Sequence, residues 1–274
     1  MTSGKRHFIF ISAAALVLAL IALLFVFAPS ALAQEARFTG EPLPATRAAG
    51  DVTISYTTRT LEESGSLDEG LPYYTIDSCG LTNACGAVAG GVVVTYFDIF
   101  KTELIPDYDP LLIFGGYKPQ LGTPNQVIAE LYSLMHTNEA GAGVSESEFD
   151  EGLSDYVTSK GYSLTYSSAK SGGNIDYAAV KSAINSQRPV LVFTETADFY
   201  GQETRVAGGS TFHREFSVAS HIFLINGYMK ITYNKGLSSE RELIIYESVS
   251  LKTAESCIIM GDAPVYNAKG VNIS

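Results

Sequence analysis

The stretch that decides the fold is ACGAVAGGVVVTYF, residues 84–97, which would be apolar on every side of a helix. A helix that is hydrophobic all round lies buried at the centre of a domain. The valines at 92–94 favour a strand on propensity alone. The alanines and glycines at 86–91 favour a helix that packs closely against its neighbours. We therefore predict a buried central helix here.

The sequence after this helix predicts three amphipathic helices and then a sheet. Thr123 is a candidate N-cap with Pro124 at the first helical position, and Ser145 with Glu148 forms a capping box for a helix that Gly161 ends. The third helix covers 177–187. Strands are predicted at 163–166, 189–193, 222–228, 229–233, 242–246 and 256–260. Helices followed by an antiparallel sheet predict an α+β fold.

Residues 1–33 have the pattern of a signal peptide. A basic start, residues 5–7, precedes an apolar run over 8–28 and the small-residue cleavage pattern at 31–33. The apolar run is nearly as long as the roughly 20 residues that span a bilayer, so a retained anchor is the alternative. We expect a secreted or cell-envelope protein whose only membrane contact is this segment, if it is kept.

The chain that remains predicts one large domain behind a short polar lead. Residues 34–70 are rich in Gly, Pro and acidic residues, and only 52–58 has a strand pattern. We interpret 34–70 as a linker or a short pro-region and place the domain at 71–274. Residues 34–274 carry a net charge of −13, because the total of −11 includes Lys5 and Arg6 and the first 33 residues hold no acid. Such a surface repels phosphate backbones, so we expect no nucleic-acid partner.

The three cysteines suggest one thiol with a chemical task. An exported chain meets oxidising conditions, where an odd number of cysteines leaves one thiol over. Cys85 is the candidate for that thiol, with Cys79 and Cys257 either joined in a disulfide or both reduced. The alternative is three buried core thiols.

Cys85 and His221 form the candidate catalytic pair. Cys85 begins the apolar helix, and a helix N-terminus and a neighbouring imidazolium both lower a thiol pKa. His221 begins the apolar strand that ends at Gly227, so it can face a cleft, whereas His136 and His213 have polar surroundings. The separation of 136 residues falls within the roughly 130–150 residues typical of papain-like enzymes. The cysteines and histidines lack the spacing of zinc ligands, so no metal is expected.

Three segments carry a resemblance to a known family. Residues 83–90 with the aromatic pair at 96–97, the element at 188–190 and the strand at 221–228 resemble papain-fold cysteine peptidases related to the bacteriocin-processing, double-glycine leader peptidases. The resemblance covers most of residues 71–265 and is similar to exported members from Gram-positive bacteria. It implies a papain-like fold, with the nucleophile-bearing helix packed on an antiparallel sheet, a peptide or protein substrate, and no cofactor.

The sequence departs from the family pattern at the supporting positions. The family's third catalytic member, an Asn or Asp, is matched by Glu247, which we expect to orient His221. The family's oxyanion-hole Gln is matched by Cys79, so Asn83 is the nearest side-chain amide for the oxyanion hole. The alternatives are a catalytically impaired domain that binds peptides or cell-envelope components, and an acyltransferase or amidase on the same scaffold.

Overall fold

The computed structural model describes residues 35–43, 50–112, 115–118, 122–236, 240–249, 251, 256–261 and 263–274. The predicted signal peptide or anchor, residues 1–33, lies outside these ranges. Residues Ala36–Ser274 form one compact unit. Among the described residues, no helix is both long and apolar enough to cross a membrane.

The four described helices include the predicted central one, and they are α1 (Cys85–Asp98), α2 (Thr123–Leu134), α3 (Glu146–Ser159) and α4 (Tyr177–Asn185). Every residue of α1 is buried, as the all-apolar pattern predicts. The small residues of α1 are explained by close neighbours. A Cβ on Gly86 would lie 2.6 Å from Val144 Cγ1, and a Cβ on Gly91 would lie 2.6 Å from Ile128 Cγ1 in α2.

The capping signals are confirmed for α3 and partly for α2. Ser145 and Glu148 form both hydrogen bonds of a capping box at the start of α3. Helix α2 begins at Thr123 with Pro124 in its first turn, but its N-cap is Gly122 and no side chain caps it. The prediction of Thr123 as the N-cap is therefore wrong by one residue.

The rest of the fold is antiparallel sheet, which makes the protein a mixed α and β structure. The largest sheet has the order β2-β12-β13-β14-β9-β15-β6, with β4 also paired to β12 and β9 also paired to β12. Its strands are β2 (Glu41–Pro42), β4 (Thr58–Ser66), β6 (Leu164–Ser168), β9 (Val190–Tyr200), β12 (Arg214–Asn234), β13 (Glu240–Val249), β14 (Ser256–Ile259) and β15 (Val265–Ile273). The remaining strands are β1 (Arg37–Phe38), β3 (Val52–Ser55), β5 (Val144–Ser145), β7 (Lys170–Ser171), β8 (Asn174–Ile175), β10 (Thr204–Val206) and β11 (Gly209–Phe212).

Strand β12 organises this sheet. Its first half pairs with β9 and β2, and its second half lies between β4 and β13. The sequence predicts two strands here, 222–228 and 229–233, but the chain continues as one strand with a register shift between Ile225 and Gly227. Gly227 therefore marks an irregularity within the strand, as an isolated glycine in a strand pattern often does.

Residues 34–70 are predicted to be a linker or a short pro-region; the described parts, 36–43 and 50–70, belong to the compact unit and not to a linker, while the pro-region stays a prediction. Strand β4 pairs with β12 over residues 58–66, β3 pairs with β11, and Leu67 is buried in the main core. The segment is polar because β4 exposes most of its side chains while its backbone completes the sheet. The compact domain thus begins at residue 36, well before the predicted boundary at 71.

Candidate functional site

Cys85 is the first residue of α1 and is fully buried. The residue before it, Ala84, accepts a backbone hydrogen bond from Val88 N and offers no side-chain cap. The first N–H groups of a helix have no partners within the helix, and they carry partial positive charge. Cys85 therefore lies at the N-terminal end of α1, whose partial positive charge stabilises a thiolate.

His221 lies in the first half of β12, opposite Thr194 of β9, and is also fully buried. Its ring makes an edge contact with Phe199, at 6.3 Å between ring centroids, and stacks near Phe223 at 6.4 Å. Ser220 directly before it has a φ of 44°. A positive φ on a residue other than glycine costs of order 1–3 kcal/mol and clusters at functional sites.

Cys85 and His221 meet at Gly40. A Cβ on Gly40 would lie 2.9 Å from Cys85 Cβ, 3.0 Å from His221 Nδ1 and 3.1 Å from Ile76 Cδ1. These distances bound the separation of Cys85 Cβ and His221 Nδ1 at about 6 Å. The structure therefore brings together the two residues that the sequence predicts as a pair, and it adds Gly40, which sequence analysis did not single out.

Gly40 belongs to an extended segment, residues 36–43, that we call the N-terminal segment. Its first part is β1, which pairs antiparallel with β5 at residues 144–145. Its second part follows β12: the backbone N–H groups of Thr39 and Gly40 both donate to Ser220 O, at 2.8 and 3.0 Å, and Leu43 N donates to Ser217 O at 3.0 Å. A peptide backbone thus lies across the Cys85–His221 pair, bonded on both sides of it.

Arg37 and Phe38 fix the N-terminal segment in place. Arg37 forms an ion pair with Glu148 of α3 at 2.9 Å and donates to Gly143 O at 2.7 Å. Phe38 is 1% exposed and makes edge contacts with Phe193 and Tyr266. Gly143 has a φ of +79°, and a Cβ there would lie 2.1 Å from Phe38 O. Position 143 therefore requires glycine for this close backbone approach.

Asn83, the predicted oxyanion donor, makes a different contact. Its Nδ2 donates to Asn138 Oδ1 at 2.8 Å, and the same oxygen accepts from Gly143 N at 2.7 Å. The two asparagines thus tie the start of α1 to the turn that faces Phe38. Asn83 has a φ of 55°, which asparagine tolerates better than most residues. The oxyanion role of Asn83 stays a prediction, and its observed hydrogen bond to Asn138 positions the start of α1 against that turn.

The strand register does not bring Glu247 beside His221. The backbone of Glu247 lies opposite Gly227 on one side and Cys257 on the other. Gly227 is six residues along β12 from His221, which corresponds to roughly 20 Å of extended strand. The side chain of Glu247 lies outside the described part of the structure, so its predicted role in orienting His221 stays a prediction without support from the pairing.

Of the two alternatives for Cys79 and Cys257, the structure has both as thiols and no disulfide between them. Cys79 Sγ donates to Ile76 O at 3.0 Å and Cys257 Sγ donates to Gly201 O at 3.5 Å. Burial raises the pKa of the Cys79 thiol despite backbone hydrogen bonds that lower it. Cys79 therefore does not compete with Cys85 as a ready nucleophile.

The other two histidines that the structure describes, His136 and His213, lie at the surface, as their polar surroundings predict. His136 contacts Glu139 and His213 contacts Asp51, with all four side chains exposed. Among the residues that the structure describes, no three His, Cys, Asp or Glu side chains are grouped as metal ligands.

The chain matches no protein-family model, no curated protein and no solved structure.

Proposed function

We propose that the protein is an exported cysteine peptidase in which Cys85 attacks a peptide or isopeptide carbonyl and His221 carries the proton. The observation that supports this most is the meeting of Cys85, His221 and a peptide backbone at Gly40. A thiol at a helix N-terminus beside an imidazole is the arrangement that activates a cysteine nucleophile. The N-terminal segment pairs as a short strand on each side of Gly40, which itself has a φ of +73°, and a peptide substrate could pair with the same edges.

The proposed reaction has two steps. His221 takes the proton of the Cys85 thiol, and the thiolate forms a bond to the carbonyl carbon while the C–N bond breaks and His221 returns the proton to the leaving amine. Water, deprotonated by His221, then attacks the thioester and releases the acid and the thiol. The backbone N–H of Cys85 is the donor nearest the developing oxyanion by its place at the helix start.

Digestion of a peptide library by residues 34–274, with mass spectrometry of the products, tests this function. New N-termini should appear with the wild type, at a rate set by how often the N-terminal segment leaves the site, and be lost in Cys85→Ala and in His221→Ala. Cys79→Ala is the matched control, because it also removes a thiol. Cys79 is half-buried, lies outside α1 and donates to the nearby Ile76 O, so this variant leaves α1 intact. Cleavage that persists in Cys85→Ala would contradict the proposal. Loss of ammonia from side-chain amides, or acyl transfer to added amines, would instead identify an amidase or an acyltransferase.

A peptide-binding domain without turnover is the second candidate. It is favoured by Asn83, whose amide donates to Asn138, and by Cys79, which stands where the resembling family has an amide. Losing one oxyanion donor lowers the rate by about 10²–10³. Saturable binding of library peptides without any cleavage, in the wild type as in Cys85→Ala, would identify this candidate.

A further inference from the structure

The N-terminal segment covers Cys85 and His221, the two residues that would have to contact a substrate. The proposed function does not account for this covering. Cys85 and His221 are both fully buried, and Gly40 lies so close to both that a Cβ on it would be within 3.0 Å of each. An outside peptide cannot occupy the place where residues 39–41 lie. Either the site is closed permanently, or the segment leaves it.

We infer that the N-terminal segment is the chain's own occupant of the peptide-binding site, and that the site opens when this segment is displaced. The inference rests on the proposed function, because it takes the surface under the segment to be where a substrate peptide binds. That surface is formed by residues 142–145 and 217–221, and it binds the segment through backbone groups on both sides of the Cys85–His221 pair. The ligand class is therefore an extended peptide.

The contact at Gly40 explains why glycine is needed at this point of the segment. Its φ is +73°, and any side chain would meet Cys85 Cβ, His221 Nδ1 and Ile76 Cδ1 at 2.9–3.1 Å. Ile76 Cδ1 is the end of a flexible side chain and can move, but Cys85 Cβ and His221 Nδ1 cannot withdraw easily, because their residues are fixed on α1 and β12. A larger residue at position 40 should therefore drive the segment away from the pair.

Arg37 holds the other end of the segment through groups that a competing peptide could displace. Its guanidinium bonds Glu148 and the carbonyls of Ala142 and Gly143, yet its side chain remains 16% exposed to solvent. Charge-assisted hydrogen bonds of this kind are strong individually, but they lie at the rim of the site. Removing them loosens the segment without altering Cys85 or His221.

Alkylation of Cys85 by iodoacetamide, followed at each cysteine by mass spectrometry in residues 34–274, tests the inference. Gly40→Ala and Arg37→Ala should each speed the labelling of Cys85 by about tenfold or more over the wild type. Gly208→Ala is the control for Gly40→Ala, because Gly208 has a φ of +74° but its nearest contact would be 3.6 Å away. Arg59→Ala is the control for Arg37→Ala. The Arg59 side chain is as exposed as that of Arg37 and forms an ion pair with Glu203 in another part of the molecule. Both controls should label like the wild type.

The outcomes separate this inference from the proposed function. Faster labelling in both test variants with slow labelling of buried Cys257 would support the covering segment, and Cys257 reports that the fold is intact. The pH dependence of the faster labelling gives the pKa of the Cys85 thiol. A pKa near 8.5 would mean that the N-terminal segment covers the site as inferred, but that His221 does not activate Cys85 as the proposed function requires. Equal Cys85 labelling rates in the wild type and both test variants would overturn the inference, whatever the thiol pKa.

Discussion

At the scale of single residues, the glycines of α1 show how packing shapes the site. Gly86 directly follows the candidate nucleophile, where a glycine allows a substrate to approach the backbone closely, but the atom that a Cβ there would meet is Val144 Cγ1 at 2.6 Å. Val144 belongs to β5, which pairs with the N-terminal segment. Gly86 therefore lets β5 lie close to α1, and it acts on the site through β5. No local pattern in the sequence contains this contact, because residues 86 and 144 are far apart in the chain.

Gly86→Ala should destabilise the protein by about 1–3 kcal/mol, the usual cost of overpacking a core. Gly90→Ala is the matched control in the same helix, since its new methyl would meet Met135 Cε, the flexible end of a side chain, at 3.0 Å. Alanine is favoured over glycine within a helix by about 1 kcal/mol, so Gly90→Ala should be close to neutral. Urea unfolding of both variants measures the difference. A larger loss for Gly90→Ala than for Gly86→Ala would contradict the packing argument.

Asp98 at the end of α1 should make stability depend on pH. Burial raises its pKa from 3.8 to about 6, against the hydrogen bond from Ile105 N, which lowers it. Because the folded pKa is the higher one, the protonated form is favoured in the folded state. Stability from this group is full below about pH 4 and is lost as the pH rises through 6.

Asp98→Asn should remove this pH dependence. The amide oxygen can still accept from Ile105 N, and the buried charge is gone, so the variant should be more stable than the wild type at pH 7 by up to about 2–3 kcal/mol. The two proteins should differ little at pH 4. Urea midpoints at pH 4, 5, 6 and 7 measure both curves, and parallel curves would refute the role of Asp98.

At the scale of elements, the sequence predicts those whose pattern is local. The helices α1, α3 and α4 and the strand β9 follow from apolar spacing and from the capping box at Ser145. Strand β4 was missed because its residues are mostly polar and exposed, and only its partner β12 makes it a strand. The N-terminal segment was missed for the same reason, since its backbone partners are about a hundred or more positions away.

One buried cation joins two elements that the sequence treats separately. Lys269 of β15 is buried, and its Nζ bonds Glu146 and Asp150 of α3 at 2.5–2.8 Å. Burial raises the pKa of Asp150, while Lys269 lowers it. The ion group therefore holds α3, and with it Glu148, against the sheet.

Lys269→Met should cost about 2–4 kcal/mol, because it leaves two partly buried carboxylates without their cation. The paired variant Lys269→Met with Asp150→Leu should recover part of this loss, since it removes one of the stranded charges. Thermal and urea unfolding of the wild type, the two single variants and the double variant form a double-mutant cycle. Purely additive effects would show that Lys269 and Asp150 do not stabilise each other.

At the scale of the whole molecule, residues 36–43 and 50–70 belong to the compact unit, and the first of these ranges crosses the candidate site. These two ranges have separate structural roles. Residues 50–67 complete the sheets through β3 and β4, and the N-terminal segment covers Cys85 and His221. Truncation separates the two tasks, because residues 50–274 keep β3 and β4 and lose only the segment.

We expect residues 50–274 to fold and residues 71–274 not to fold. The first loses the burial of Phe38, which costs about 3–5 kcal/mol in a core, and the short pairing of β2 with β12, but it retains β4, β9 and β13 as partners of β12. The second strips β4 from β12 and leaves the central strand of the sheet with an open edge, which favours aggregation. Near-UV circular dichroism and a cooperative urea transition should appear for 50–274 alone. Because Cys85 is uncovered in that chain, its thiol should also react faster than in 34–274. A folded 71–274 would restore the linker interpretation, and a folded 50–274 with a slow Cys85 would show that something other than the N-terminal segment protects the thiol.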